Sequence, residues 1–78
     1  MRVKFDREAD AIYVTLRDGK YRNGKDLDDH RRVDYDADGN PIGIELLFVS
    51  HGVDVEDLPA SEQVAAELAK HKIRAFAS

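Results

Sequence analysis

The chain has 78 residues, no cysteine, and 16 acidic against 12 basic residues, which gives a formal net charge of −4. A chain of this length fits a single domain, residues 1–78, and the lack of cysteine excludes a disulfide framework and a thiolate zinc site. Residues 33–63 contain eight acids and no Lys or Arg; because such a stretch repels phosphate backbones, we expect no direct binding of nucleic acid.

Residues 1–50 predict an antiparallel sheet that begins with a hairpin. Polar and apolar residues alternate in residues 2–5 and again in residues 11–16, which is typical of half-buried strands. The apolar residues of the second segment share one face: Ile12, Val14 and Leu16. Asp6 opens the polar segment between the two strands and is suited to an Asx turn that reverses the chain.

Residues 21–27 alternate only weakly, so any strand there is short or irregular. A second hairpin is predicted around Asp38-Gly39. A two-residue type I′ loop at Asp38-Gly39 would pair Tyr35 with Ile42 and Val33 with Ile44. All four apolar side chains would then face the core. If the alternation continues along residues 42–49, Phe48 also faces the core, and Leu47 and Val49 face away from it.

The chain after residue 60 predicts one helix over residues 61–72. Ser61 is a suitable N-cap, and Val64, Ala65 and Leu68 fall on one stripe. Residues 73–76 alternate again and predict a short edge strand or a packed tail. The fold class is therefore α+β: a small antiparallel sheet of four or five strands, in hairpins or a meander, with one C-terminal helix.

One motif taken alone indicates calcium binding: Asp34, Asp36, Asp38, Gly39 and Glu45 match the spacing of an EF-hand loop. An EF-hand loop lies between two helices, whereas the segments on both sides of this motif alternate with period two and contain β-forming residues. We therefore interpret the motif as a hairpin with exposed acids and predict no metal and no cofactor.

The histidines do not form a recognisable site either. His30, His51 and His71 are far apart in sequence, and none has a second histidine four residues away on a helix. Acid–base catalysis by His30 and His51 would require the two side chains to meet, which nothing in the sequence indicates. Ser50 lacks the nucleophile elbow of a hydrolase. We predict no catalytic, cofactor-binding or metal-binding residue.

Three ordered blocks give the chain a family resemblance. They are Val3-x-Phe5-Asp6-x-Glu8-Ala9-Asp10-Ala11-Ile12-Tyr13-Val14, then Val33-Asp34-Tyr35-Asp36-x-Asp38-Gly39, and Ile42-Gly43-Ile44-Glu45-Leu46-Leu47. Together they resemble the small prokaryotic domain-of-unknown-function family 2283 over roughly residues 1–50. The resemblance implies a small antiparallel sheet protein and brings no reaction, cofactor or catalytic residue. Some members are encoded near toxin-like partners, which implies an interaction or antitoxin-like role.

Two functional hypotheses follow. The first is a non-enzymatic protein-interaction module, antitoxin-like in one form, that binds a basic protein through its acidic surface or an exposed sheet edge. The alternative is a small enzyme or enzyme subunit that binds a ligand or metal through exposed carboxylates. The carboxylates in question are those of Asp6, Glu8 and Asp10, or those of Asp34, Asp36 and Asp38.

Location and oligomeric state can also be predicted. No apolar segment approaches the roughly 20 residues that span a bilayer, and no secretory signal follows Met1, so we expect a cytoplasmic protein that binds no membrane. Tyr13, Leu47 and Val49 would form an apolar patch on the sheet face turned away from the helix, here called the outer face. One helix cannot cover both faces, so we expect a homodimer. Folding of residues 73–76 over the patch is the alternative.

Overall fold

The computed structural model describes residues 1–78 and contains a five-stranded antiparallel sheet followed by one helix. The strands are β1 (Arg2–Asp6), β2 (Ala11–Thr15), β3 (Asn23–Asp28), β4 (Arg31–Tyr35) and β5 (Pro41–Leu47), in the spatial order β1-β2-β5-β4-β3. All four neighbouring pairs run antiparallel. The predicted α+β fold class is thereby confirmed.

The hydrophobic core lies on one face of this sheet, under the helix α1 (Ser61–Lys70). Alternation along β2 and β5 places their apolar side chains on that face, and Val64 and Leu68 of α1 are buried against them. The residues of β2 and β5 in this core cluster are Ile12, Val14, Ile44 and Leu46. The outer face carries the intervening residues of each strand.

Helix α1 ends two residues earlier than predicted, and its N-terminus differs from the prediction as well. Ser61 is the first helical residue and caps nothing, because Ala60 takes the N-cap position with φ 53°. At the C-terminus, Lys72 adopts φ 60°, and the N–H of Ile73 donates to the Leu68 carbonyl (3.0 Å). This is a Schellman motif, which ends a helix. No helix of the chain has the length and apolar content needed to cross a bilayer.

The predicted C-terminal strand exists, but it does not extend the main sheet. β7 (Ala75–Phe76) pairs in parallel with β6 (Val53–Asp54) in a separate two-stranded sheet. Ile73, just before β7, is buried in the core on the helix side. The tail therefore does not cover the outer face.

The β4–β5 hairpin does not have the predicted two-residue type I′ turn. Asp36 and Asn40 close the loop (N–H to O 3.0 Å), and the Gly39 N–H donates to the Asp36 carbonyl (3.1 Å). Within the loop only Gly39 has positive φ, at 81°, whereas a type I′ turn needs two such residues in succession. The loop is a type I turn followed by a left-handed glycine. The Asp36 carboxylate favours it by accepting the N–H groups of Asp38 and Asn40 (both 2.9 Å).

A bulge then restores the register that the longer loop would shift. Tyr35 pairs with Pro41 and not with Ile42, and the register changes between Asp34 and Tyr35. Ile42 is the extra residue on β5. Beyond it, Val33 pairs with Ile44 as predicted, so the apolar side chains of both strands still face the core.

The end of β5 corrects a second prediction. The strand stops at Leu47, and Phe48 adopts φ 53°, which reverses the direction of the following side chains. Phe48, expected in the core, is 53% exposed, and Val49, expected on the outer face, is 1% exposed and part of the core. The outer face therefore lacks one of the three apolar residues on which the homodimer prediction rested.

Candidate functional site

A hydrogen bond on the outer face joins strands that are not neighbours. The Tyr13 hydroxyl on β2 donates to Asp34 Oδ2 on β4 at 2.7 Å, and β5 lies between them. Gly43 on β5 sits directly opposite Asp34, and a Cβ there would overlap the hydroxyl and ring of Tyr13. The missing side chain at Gly43 thus leaves the space in which the tyrosine ring crosses the sheet.

Arg32 extends this network to the edge of the sheet. Its Nε lies 3.5 Å from Asp34 Oδ1, its Nη1 bonds Asp26 Oδ1 at 3.1 Å, and its Nη2 donates to the Tyr21 hydroxyl at 3.3 Å. The bonds to Tyr21 and then Asp26 raise the pKa of Arg32. Gly24 on β3 leaves room for the guanidinium, as Gly43 does for Tyr13. The outer face is therefore covered by linked polar side chains.

The chemistry of Tyr13 follows from its environment. Burial, and after it the hydrogen bond to Asp34, raises the pKa of Tyr13 from 10.0 to about 12. A phenol with this pKa stays neutral and donates its proton in a hydrogen bond at pH 7. Tyr13 therefore has a positioning role on the outer face and is poorly suited to act as a base or nucleophile.

We expect one of the three tyrosines to ionise late in an alkaline titration followed by ultraviolet absorbance, and Tyr13→Phe to remove that step. Because the folded pKa is raised above the unfolded value, the stability that Tyr13 contributes is complete below pH 10 and is lost as the pH rises through about 12. The wild type should thus lose stability relative to Tyr13→Phe over that range. An unchanged difference between the two proteins would contradict the raised pKa.

At the β3–β4 end of the outer face, four acids line a shallow polar concavity of about 300 Å³, here called the acidic concavity. Its acids are Asp26, Asp28, Asp29 and Glu45. Two arginines also line it, but Arg32 is bonded to Asp26 and Arg31 to Asp28 (2.8 Å). Asp29 and Glu45 have no such ion pair, so the concavity keeps an excess of negative charge.

Arg31 links this end of the sheet to the segment 54–56, which follows the sheet in sequence. Its side chain is only 12% exposed, and its Nη1 donates to the carbonyls of Asp54 (2.8 Å) and Glu56 (2.7 Å). Burial alone would raise the pKa of Asp28, but the N–H of His30 and the Arg31 guanidinium hold that pKa below its usual value. Both charges of the Arg31–Asp28 pair are thus committed within the protein.

An exposed aromatic ring lies beside the acidic concavity. The Phe48 ring centroid is 4.9 Å from that of His30, which also lines the concavity, and 6.3 Å from that of His51, both in edge-on geometry. The structure thus brings two histidines to one aromatic side chain, which the sequence did not indicate. Sequence reasoning missed Phe48 because alternation assigned it to the core.

The carboxylates named for ligand or metal binding lie in separate places. Asp6 accepts the N–H of Ala9, three residues on, at 3.0 Å, so its carboxylate stabilises the predicted turn, although an Asx turn would bond the N–H two residues on. Asp10 accepts the N–H (2.9 Å) and the hydroxyl (2.6 Å) of Ser50, and the N–H of Asn40 lowers the pKa of Asp36. No group of three or more His, Asp or Glu side chains is arranged to hold a metal ion.

Comparisons with known proteins gave one match. A family model described as "Protein of unknown function (DUF2283)" matches residues 2–50, which span all five strands of the main sheet and Phe48. No curated protein and no solved structure matches the chain. The matched segment contains the Tyr13–Asp34 hydrogen bond, Gly43, and every acid of the acidic concavity.

Proposed function

The chain belongs to the DUF2283 family, and we propose that it is a non-enzymatic module that binds a basic protein. The observation that carries this proposal is the position of the exposed Phe48 beside the acidic concavity. One form of this function is antitoxin-like, with a basic toxin as the partner.

The two features complement each other in binding. Asp29 and Glu45 offer carboxylates without an ion pair, and a partner's Lys or Arg would form charge-assisted hydrogen bonds with them. Opposite charges across an interface speed association and exclude wrong partners. Phe48, when covered by the partner, would supply the buried aromatic anchor on which binding energy usually concentrates.

The geometry supports binding over the enzymatic alternative. Asp6, Asp10 and Asp36 accept hydrogen bonds that shape turns, so their carboxylates already have structural partners. Tyr13, with its pKa raised by burial to about 12, is held by Asp34. General acid–base chemistry at neutral pH favours a group whose pKa lies near 7.

Affinity capture from the native host tests the proposal when four forms of the chain are used as bait. The wild type and the control Glu8→Lys, an exposed acid in the β1–β2 turn, should retain the same basic protein. Glu45→Lys and Phe48→Ala should each lose it. With the identified partner purified, calorimetry should give a dissociation constant at least about tenfold higher for Glu45→Lys, the effect of losing about 1.4 kcal/mol.

Two results would count against the proposal. One is a partner that Glu45→Lys and Phe48→Ala both retain as strongly as the wild type does. The other is an acidic partner that binds more tightly as salt is added. The proposed attraction between opposite charges should instead weaken with salt, because salt screens it.

A further inference from the structure

The main sheet has two edges, and they differ in regularity. β3, at one edge, carries a register shift between Asp26 and Asp28, and such irregularity discourages pairing with another strand. β1, at the other edge, pairs with β2 in unbroken register over all five of its residues and has no strand on its second side. A regular free edge exposes unpaired N–H and C=O groups that another strand can bind.

The two faces of β1 differ in the same way as the rest of the sheet. Val3 and Phe5 are half-buried and pack against the core, while Arg2, Lys4 and Asp6 are exposed. When two copies of β1 pair antiparallel about a two-fold axis, the register that keeps all five residues paired puts Lys4 on the axis. Arg2 then lies opposite Asp6 of the second copy, and Val3 lies opposite Phe5.

In this register the strand complements itself. Both Arg2–Asp6 pairs join opposite charges on the outer face, and both Val3–Phe5 pairs continue the core face, so the two sheets keep the same orientation. Only Lys4 meets a like charge, its own copy. Cross-strand pairs of opposite charge stabilise about as much as like charges destabilise, so two favourable pairs outweigh one unfavourable pair.

The side chains are free to make these pairs. Arg2 is bonded to Asp18 at 3.0 Å, but both side chains are highly exposed, at 70% and 88%, and such surface pairs contribute little. Asp6 uses Oδ1 for the N–H of Ala9, which leaves Oδ2 for a second partner.

We propose that two copies of this chain associate through β1 in this register and form one continuous ten-stranded sheet. The β1 edge lies at the opposite side of the sheet from β3 and the acidic concavity. The association therefore does not depend on the proposed function, and a dimer would present two acidic concavities.

Charge reversal tests the register. Light scattering on the wild type should give twice the chain mass of 8.8 kDa. Arg2→Glu alone should give the monomer mass, because the introduced carboxylate would face Asp6 of the second copy. Asp6→Lys alone should do the same, because the introduced ammonium group would face Arg2. An equimolar mixture of the two variants should recover a dimer that contains one copy of each. In this mixed dimer the introduced carboxylate lies opposite the introduced ammonium group, and the remaining Arg2 lies opposite the remaining Asp6, so both cross-strand pairs are of opposite charge.

Matched variants distinguish loss of the proposed cross-strand pairs from other reasons why a charge substitution could produce a monomer. Asp18→Asn removes the present partner of Arg2, and Glu8→Lys reverses an exposed charge outside β1; both should remain dimeric. Lys4→Thr should lower the dimer dissociation constant by about two- to fivefold, because it removes the one repulsive pair. This last variant keeps the register testable if Asp6→Lys fails to fold.

A wild type that stays at 8.8 kDa up to high concentration would overturn the proposal. So would folded Arg2→Glu and Asp6→Lys variants whose mixture remains monomeric, or a dimer that neither variant disrupts. Circular dichroism of each variant establishes that it is folded before its mass is interpreted.

Discussion

Val49→Asp is expected to unfold the protein, whereas Phe48→Asp should leave its free energy of unfolding nearly unchanged. Val49 is 1% exposed and packs in the core, so an aspartate there would bury a carboxylate without a partner. Such burial costs more than about 4 kcal/mol, a large share of the stability of a domain this small. Phe48 is 53% exposed, and Asp tolerates its left-handed φ of 53°.

Circular dichroism and urea denaturation of both variants provide the measurement, with Phe48→Ala as the control for loss of the ring alone. The two neighbouring positions receive the same substitution, so their different outcomes report only on which side chain faces the core. A folded Val49→Asp beside an unfolded Phe48→Asp would mean that the strand continues through residue 49, as simple alternation predicts.

The difference between these two residues shows where the sequence stops being informative. Alternation is a local property, and it was sufficient for β1, β2 and the core face of β5. Residues 46–49 are all apolar, so they contain no alternation that marks the end of the strand. The end depends on Asp10, whose carbonyl accepts the Val49 N–H (3.1 Å) and whose carboxylate binds Ser50, and no local pattern encodes contacts over that separation.

The β4–β5 hairpin prediction failed for a related reason. Parity correctly required Val33 to pair with Ile44, but it assumed an unbroken ladder and so selected a two-residue loop. The carboxylate of Asp36 favours a longer loop, and the extra residue at Ile42 absorbs the change in parity. Bulges of this kind leave no periodic signal, so loop length and register cannot be derived from parity alone.

The candidate site was even less accessible from sequence. Tyr13, Asp34 and Gly43 each belong to a different block of the family resemblance, and sequence reasoning treated them separately. They meet only because the spatial order is β2-β5-β4, which places the last of these strands in the chain between the other two. The acidic concavity likewise combines β3, β4 and β5. Strand order, and not residue type, was the missing information.

Gly43→Ala is expected to destabilise the protein by about 2–3 kcal/mol, the usual cost of overpacking. A Cβ at Gly43 would lie 2.5 Å from Tyr13 Cζ and 2.9 Å from Tyr13 Cε2, which are atoms of a rigid, half-buried ring. The ring must move away, and the 2.7 Å hydrogen bond to Asp34 is lost with it. Gly24→Ala is the matched control, because the three atoms nearest to its Cβ all belong to the end of the flexible, 38% exposed side chain of Arg32, which can shift. This substitution should cost less than about 1 kcal/mol.

A double-mutant cycle with Tyr13→Ala identifies the cause of the loss. Once the ring is gone, Gly43→Ala should cost less than about 0.5 kcal/mol, since alanine suits a strand better than glycine does. The coupling between the two positions should then be about 2 kcal/mol, within the range for side chains in direct contact. Equal costs of Gly43→Ala in both backgrounds would locate the strain in the β5 backbone, and Tyr13 would then not be the reason that this position requires glycine.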